Sequence, residues 1–271
     1  MPPRKINTLK RWKTFLNAAE KEVRLLKQFS DLRRQFNLIV NQSPVAASHS
    51  PFWTFAHNAF AFDLVLRVCK LTERQSRNRQ GAVNKKKEVY SLQALLEEIL
   101  EKPEYLSRGH YLGGIDPCTF EEYLRIHPSR RSPPDPSTFN RLNTEFDKIA
   151  GKGADHISKK SIELDVAELE RVTKRLKAYR NKHLAHIAVK KGKFRTPKYS
   201  EISVARRSID KLMQKYFLLI YCSLPPNTTS RADEISDLFV EPWIASKTDR
   251  DRILEKIKLE RAKAKKKTSP L

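Results

Sequence analysis

The sequence predicts an all-α protein built as a helical bundle, on three observations. Apolar side chains recur at steps of three and four through most of the chain, the repeat of a single helix face. No segment alternates β-branched and polar residues as a half-buried strand would. Only 7 glycines occur in 271 residues. That is too few for the turns of a β-sandwich or the phosphate loops of dinucleotide-binding and P-loop folds.

Residues 9–40 read as the first helix, with Leu9, Trp12, Leu16, Val23, Leu26, Phe29, Leu32, Phe36 and Ile39 in one stripe. The segment 41–44, ending in Pro44, breaks it. A second helix is expected over 51–72, with Ser50 as N-cap and Pro51 in the first turn. It carries Phe52, Phe55, Ala59, Phe62, Val65, Leu66, Val68 and Cys69. Phe60 and Leu64 fill its other sides, so it reads as the central, most buried helix. Residues 73–88 are polar and basic around Gly81 and predict a loop or a frayed helix end. Ser91 caps a short helix that stops before Pro103. Gly113, Gly114, Pro117, Pro128, Pro133, Pro134 and Pro136 make 103–136 an irregular insertion. Ser137 is expected to cap a helix reaching about Ala150.

The next long helix is expected over 162–189, on the stripe Val166, Leu169, Val172, Leu176, Tyr179, His183 and Ile187. A basic loop with Gly192 follows, then a helix over 200–222 carrying Ile202, Ala205, Ile209, Leu212, Met213, Tyr216, Leu219 and Ile220. Pro225 and Pro226 end it. Residues 233–243 form a short apolar patch, and 249–267 a charged helix. The domain reading is a helical domain over 1–248, interrupted by the insertion at 103–136, and a basic C-terminal helix or tail over 249–271.

Charge narrows the partners. Lys and Arg number 54 against 31 Asp and Glu, a net +23. Solubility alone needs a net charge of about 2–8. The surplus is also clustered. Residues 171–198 hold eleven basic side chains and no acid. A polyanion is the natural partner of such a field, and a nucleic acid is the expected one. Phosphate contacts carry no sequence information, so charge leaves the kind of nucleic acid open.

Several chemistries are excluded. Cys69, Cys118 and Cys222 lie far apart, with no zinc-ligand spacing. No paired carboxylates, Ser/His/Asp set or metal-binding pattern stands out, so neither a metal nor a cofactor is expected. No apolar run approaches the ~18 residues of a membrane helix. The chain reads as a soluble, cytoplasmic protein with no membrane partner.

Within the acid-free stretch, Arg180, Asn181, Lys182, His183, Leu184, Ala185 and His186 stand in sequence. An Arg, a polar residue and a His a few positions on is the signature of the HEPN superfamily. The fuller string resembles its abortive-infection, AbiU-like branch. Phe52 and Trp53 open an aromatic-rich helix ending in Lys70, Leu71, Thr72 and Glu73, and a Ser-Leu-x-x-Leu-Leu segment follows at 91–96. These pieces keep the order of that branch over roughly residues 5–245. The slot that often holds an acid after the second helix reads Thr72, Glu73 here, and the tail beyond Arg250 lies outside the resemblance.

The resemblance implies a HEPN-like helical bundle that homodimerises with the Arg/His helix at the shared face. It implies a metal-independent endoribonuclease, a toxin or anti-phage effector, and an antitoxin or other partner protein. His186 would then transfer protons, which imidazole does near neutral pH. Arg180 would clamp phosphate with its permanently charged fork, and Asn181 would orient substrate or imidazole. Lys182, Lys190, Lys191, Lys193 and Arg195 would hold the RNA backbone. Arg180 and His186 are six positions apart, so an unbroken α-helix sets them about 120° apart and about 9 Å along the axis. A two-fold dimer would bring two such pairs together.

Other readings stay open on the residues alone. His183 fits a packed or interface histidine, and His186 a helix-end histidine on the C-terminal dipole. Arg180 fits a solvated charge or a partner of Glu163 or another acid. Tyr179 fits the core or a base-stacking surface. His57 fits a satisfied core histidine, and Trp12, Trp53 and Trp243 fit the core. The whole chain also fits a non-catalytic helical module that binds RNA or a protein, or a DNA-associated protein driven by its tail.

Overall fold

The computed structural model describes residues 3–42, 51–75, 88–112, 136–184, 197–222, 248 and 251–259. Helices dominate these residues, and no strand occurs among them; a single bridge pairs Ser107 with His156. Among the described residues the helices run as α1 (Pro3–Gln42), α2 (Pro51–Leu71), α3 (Leu92–Glu101), the single turn α4 (Arg108–Tyr111), α5 (Pro136–Ala150), α6 (Lys159–Tyr179) and α7 (Tyr199–Tyr221). Residues 251–259 are helical as well. The all-α reading of the sequence therefore holds.

The chain divides into two units: Met1–Val23 with Val68–Asn227, and Arg24–Arg67 with Thr228–Leu271. Helices α1 and α2 each contribute to both.

In the first unit α6 is the central element, packed against both α3 and α7. The reason lies in its sequence. Ile162, Leu169, Thr173, Leu176 and Tyr179 repeat at helical spacing and are buried. Val166 and Val172 sit at the edge of that stripe, half-buried. From α3 come Leu92, Leu95, Leu96 and Ile99, and from α7 Ile202, Ala205, Ile209, Tyr216 and Ile220, all buried. Burying each large apolar side chain contributes about 1.5–3 kcal/mol. The start of α1 adds Trp12, Phe15, Leu16 and Ala19, with Trp12 6.1 Å from Tyr105 and Phe15 5.1 Å from Tyr90 between ring centres.

In the second unit Phe36 meets Trp53 and Phe60 at 5.6 and 5.3 Å, and Arg67 lies over the Phe29 ring at 4.6 Å. Ile253 and Ile257 are buried against Leu38 and Leu254.

Four expectations change. The second helix is not buried all round: Ala61, Leu64, Val65, Val68 and Cys69 are covered, but Phe55 and Leu66 are exposed. Apolar girth alone does not tell a central helix from one with an open face. The insertion is partly regular. Pro103–Tyr105 forms a 3-10 turn, and Ser107 caps α4 by accepting from the His110 N–H. Leu106, Tyr111 and Leu112 bury themselves there. Helix α5 begins at Pro136, one residue before the expected cap Ser137, because proline suits the first helical position. The helix expected over 162–189 leaves α geometry at Tyr179. The apolar patch at 233–243, with Trp243, lies outside the described residues, as do 113–135 and 260–271.

Candidate functional site

The acid-free run ends α6. Lys177, Arg180 and Lys182 gather at the C-terminal end of the helix, where cations suit the dipole. Asn181 is a weak helix former because its amide competes for backbone partners. The backbone adapts. The Arg180 N–H is shared between the carbonyls of Leu176 and Lys177, and Arg180–Leu184 forms a π turn. A π turn bonds i to i+5 and holds more residues per turn than an α-helix, and such turns are frequent at functional sites. From Asn181 to Leu184 each residue is thereby rotated less than an α-helix would rotate it.

Arg180 and Asn181 are brought together: Arg180 Nε donates to Asn181 Oδ1 at 3.0 Å. Lys182 stands exposed on the same turn. His186, Lys190, Lys191, Lys193 and Arg195 lie outside the described residues, and so does the side chain of His183. Tyr179 is buried and belongs to the core rather than to a base-stacking surface.

The acid near Arg180 is Glu73, with Oε1 4.0 Å from Nη1. Local bonds deliver it there. Thr72 Oγ1 donates to the Val68 carbonyl at 2.9 Å as α2 ends. Ser91 donates to the Glu73 carbonyl while its oxygen caps Ala94 N–H at 3.0 Å. The Gln75 amide makes two bonds to the Val89 backbone, at 2.7 and 3.1 Å. The Ser-Leu-x-x-Leu-Leu segment thus fixes the exit of α2 next to the end of α6. One turn before Glu73 lies Cys69. Burial pushes its thiol up to about 11, while Arg180 and Lys177 act against that rise.

Sequence reasoning counts Lys177 only among eleven basic residues. The structure gives it a particular place. Its ammonium donates to Gln93 Oε1 at 2.8 Å, and Gln93 Nε2 donates to Glu170 Oε1 at 2.8 Å. Glu170 is paired with Arg74, whose bond holds the carboxyl below its ordinary range. Spacing was the available signal: Lys177 precedes Arg180 by three. The buried amide partner carries no such signal.

His57 belongs to the second unit. Burial and the charge of Arg33 push its imidazole below the ordinary value. Among the described residues no group of three or more His, Cys, Asp or Glu is placed to hold a metal ion. No helix there is long and apolar enough to cross a membrane.

The family model described as AbiU2, a HEPN family, matches residues 15–234. Neither a curated protein nor a solved structure matches the chain.

Proposed function

The chain belongs to the AbiU2 family of HEPN proteins, and from that membership we propose that it is a metal-independent endoribonuclease of the abortive-infection type. The observation that carries the reading is the Arg180–Asn181 pair, held on a π turn at the end of a basic helix.

RNA cleavage without a metal needs three things: removal of the 2′-hydroxyl proton, stabilisation of the phosphorane charge, and a proton for the leaving 5′-oxygen. In this reading His186 moves protons and the Arg180 fork holds the phosphate oxygens. Asn181, bonded to the Arg180 Nε, fixes the plane of that fork. The 2′-oxygen bonds to phosphorus as the bond to the 5′-oxygen breaks, leaving a 2′,3′-cyclic phosphate and a 5′-hydroxyl. One imidazole per chain serves one proton transfer at a time. A second copy of the chain, facing the first across the Arg180 helix, would supply the other. Lys182, Lys190, Lys191, Lys193 and Arg195 hold the strand by charge.

The test is labelled single-stranded RNA incubated with the protein in EDTA. Cleavage to cyclic-phosphate ends is expected, and His186→Ala should abolish it while helix content and oligomer mass stay unchanged. RNA bound but left uncut by the wild-type protein would replace this reading with that of a non-catalytic RNA-binding module. Full cleavage by the variant would remove His186 from the mechanism.

A further inference from the structure

Lys177 lies in the last turn of α6 and Arg180 is the C-cap of that helix, three residues on. The direct partner of the Lys177 ammonium is an amide, Gln93 Oε1 at 2.8 Å. Lys215, by contrast, meets a carboxylate directly, Asp165 Oδ2 at 2.6 Å. An amide orients a cation without cancelling its charge. The nearest carboxylate acting on it, Glu170, lies behind Gln93 and is shared with Arg74, so the ammonium keeps the capacity to take an anion. Gln93 is itself fully buried and is held from behind by Glu170, whose charge Arg74 takes up. The ammonium is therefore fixed from the protein side. Burial pushes its pKa below the ordinary lysine value.

Arg180 reaches the end of α2 through Glu73, and Lys177 precedes it by three residues, the spacing of helix neighbours; both lower the buried Cys69 thiol of α2 against its burial. The counter-charge at Arg180 is Glu73. Its 4.0 Å contact is the outer limit of an ion pair, and its side chain is 48% exposed, free to turn into water.

We infer that Lys177 and Arg180 form a two-cation subsite for one backbone phosphate of a nucleic acid, with the Glu73 carboxylate standing in for that phosphate in the free protein. The fork of Arg180 grips two oxygens, and the point charge of Lys177 adds to the field on the same phosphate. The subsite itself stands on geometry. Only its assignment to RNA rests on the nuclease reading.

Inorganic phosphate tests the subsite without RNA. At constant ionic strength, phosphate should raise the thermal midpoint of the wild-type protein relative to chloride, as any ligand of the folded state does. Lys177→Met, which keeps the aliphatic stem, should lose that rise, and Lys177→Arg should keep it. Glu73→Gln should bind phosphate several-fold more tightly. It leaves the core untouched, so it decides the matter even if Lys177→Met unfolds. No rise in the wild type, an undiminished rise in folded Lys177→Met, or unchanged affinity in Glu73→Gln would each overturn the inference. With fluorescent single-stranded RNA, Lys177→Met should weaken binding about tenfold. Lys148→Gln removes the same charge from α5 and should change binding less than twofold. A phosphate effect lost in Lys177→Met without any effect on RNA keeps the subsite and removes its assignment to RNA.

Discussion

His110 has its Nε2 3.3 Å from the Ile220 carbonyl, and its own carbonyl accepts from Cys222 Sγ at 3.4 Å. Burial pushes its imidazole below the ordinary 6.5, and Lys5 and Lys13 act in the same direction against the Ile220 bond. His57 is shifted the same way by burial and Arg33. The sign follows from proton counting. As pH falls through 6.5 the unfolded chain takes up protons that the folded chain refuses, so stability rises with pH across that window. The stability is fully present above 6.5 and is lost progressively down to the folded values. Carboxylates held low by arginines, such as Glu168 and Glu170, lose their contribution only below their ordinary 4.5. The thermal midpoint should therefore be level between pH 7 and 8 and fall as pH drops below 6.5. His110→Gln should flatten that slope. A midpoint that rises as pH drops from 7.5 to 5.5 would contradict the burial argument.

At the scale of the element, the caps decide where function is assembled. Ser91 and Ser158 both begin helices, accepting N–H bonds from Ala94 and Ser161 at 3.0 and 3.1 Å. Ser158 is exposed; Ser91 is wholly buried and also donates to the Glu73 carbonyl. Losing a cap costs about 0.5–2 kcal/mol, and stranding a buried polar partner adds about 1–3 kcal/mol. Ser91→Ala should thus destabilise the protein clearly more than Ser158→Ala in urea unfolding. Equal costs would mean that the Ser91–Glu73 bond contributes nothing.

The same elements show what the sequence reveals. Ser91 was legible as a cap because an apolar helical repeat begins right after it. Helix α7 was legible because its stripe is strict: Ile202, Ala205, Ile209, Leu212, Met213, Tyr216, Leu219 and Ile220 are all buried. The Arg180–Asn181 pair was legible from its string of residues. The π turn was not, because one extra residue per turn leaves the side-chain pattern almost unchanged. Nor was the exposure of Phe55 and Leu66, since periodicity names a face without saying what covers it. Glu73 was legible as an acid in an unusual slot, but not as the partner of Arg180. That pairing depends on how Ser91 and Gln75 tie the exit of α2 to α3.

The scale of the whole molecule is set by charge. A net +23 exceeds what solubility needs, and eleven of the basic residues fall in the acid-free run that contains Arg180. In a nucleic-acid binder such charges act by releasing counterions, and the salt slope of log affinity counts them at about 0.7 per phosphate on a single strand. Replacing Lys190, Lys191, Lys193 and Arg195 with Gln should reduce the slope for single-stranded RNA by about 3 if all four touch phosphate. Affinity should fall alike for RNAs of different sequence, because these contacts read no bases. Cleavage of RNA already bound should persist, since Arg180, Asn181 and His186 remain. The measurement is anisotropy of labelled RNA at several salt concentrations, followed by single-turnover cleavage at saturating protein. An unchanged slope would mean that the run does not carry the strand. The strand would then have to be sought at other basic segments, such as residues 67–87, whose sequence holds eight basic residues and one acid, Glu73.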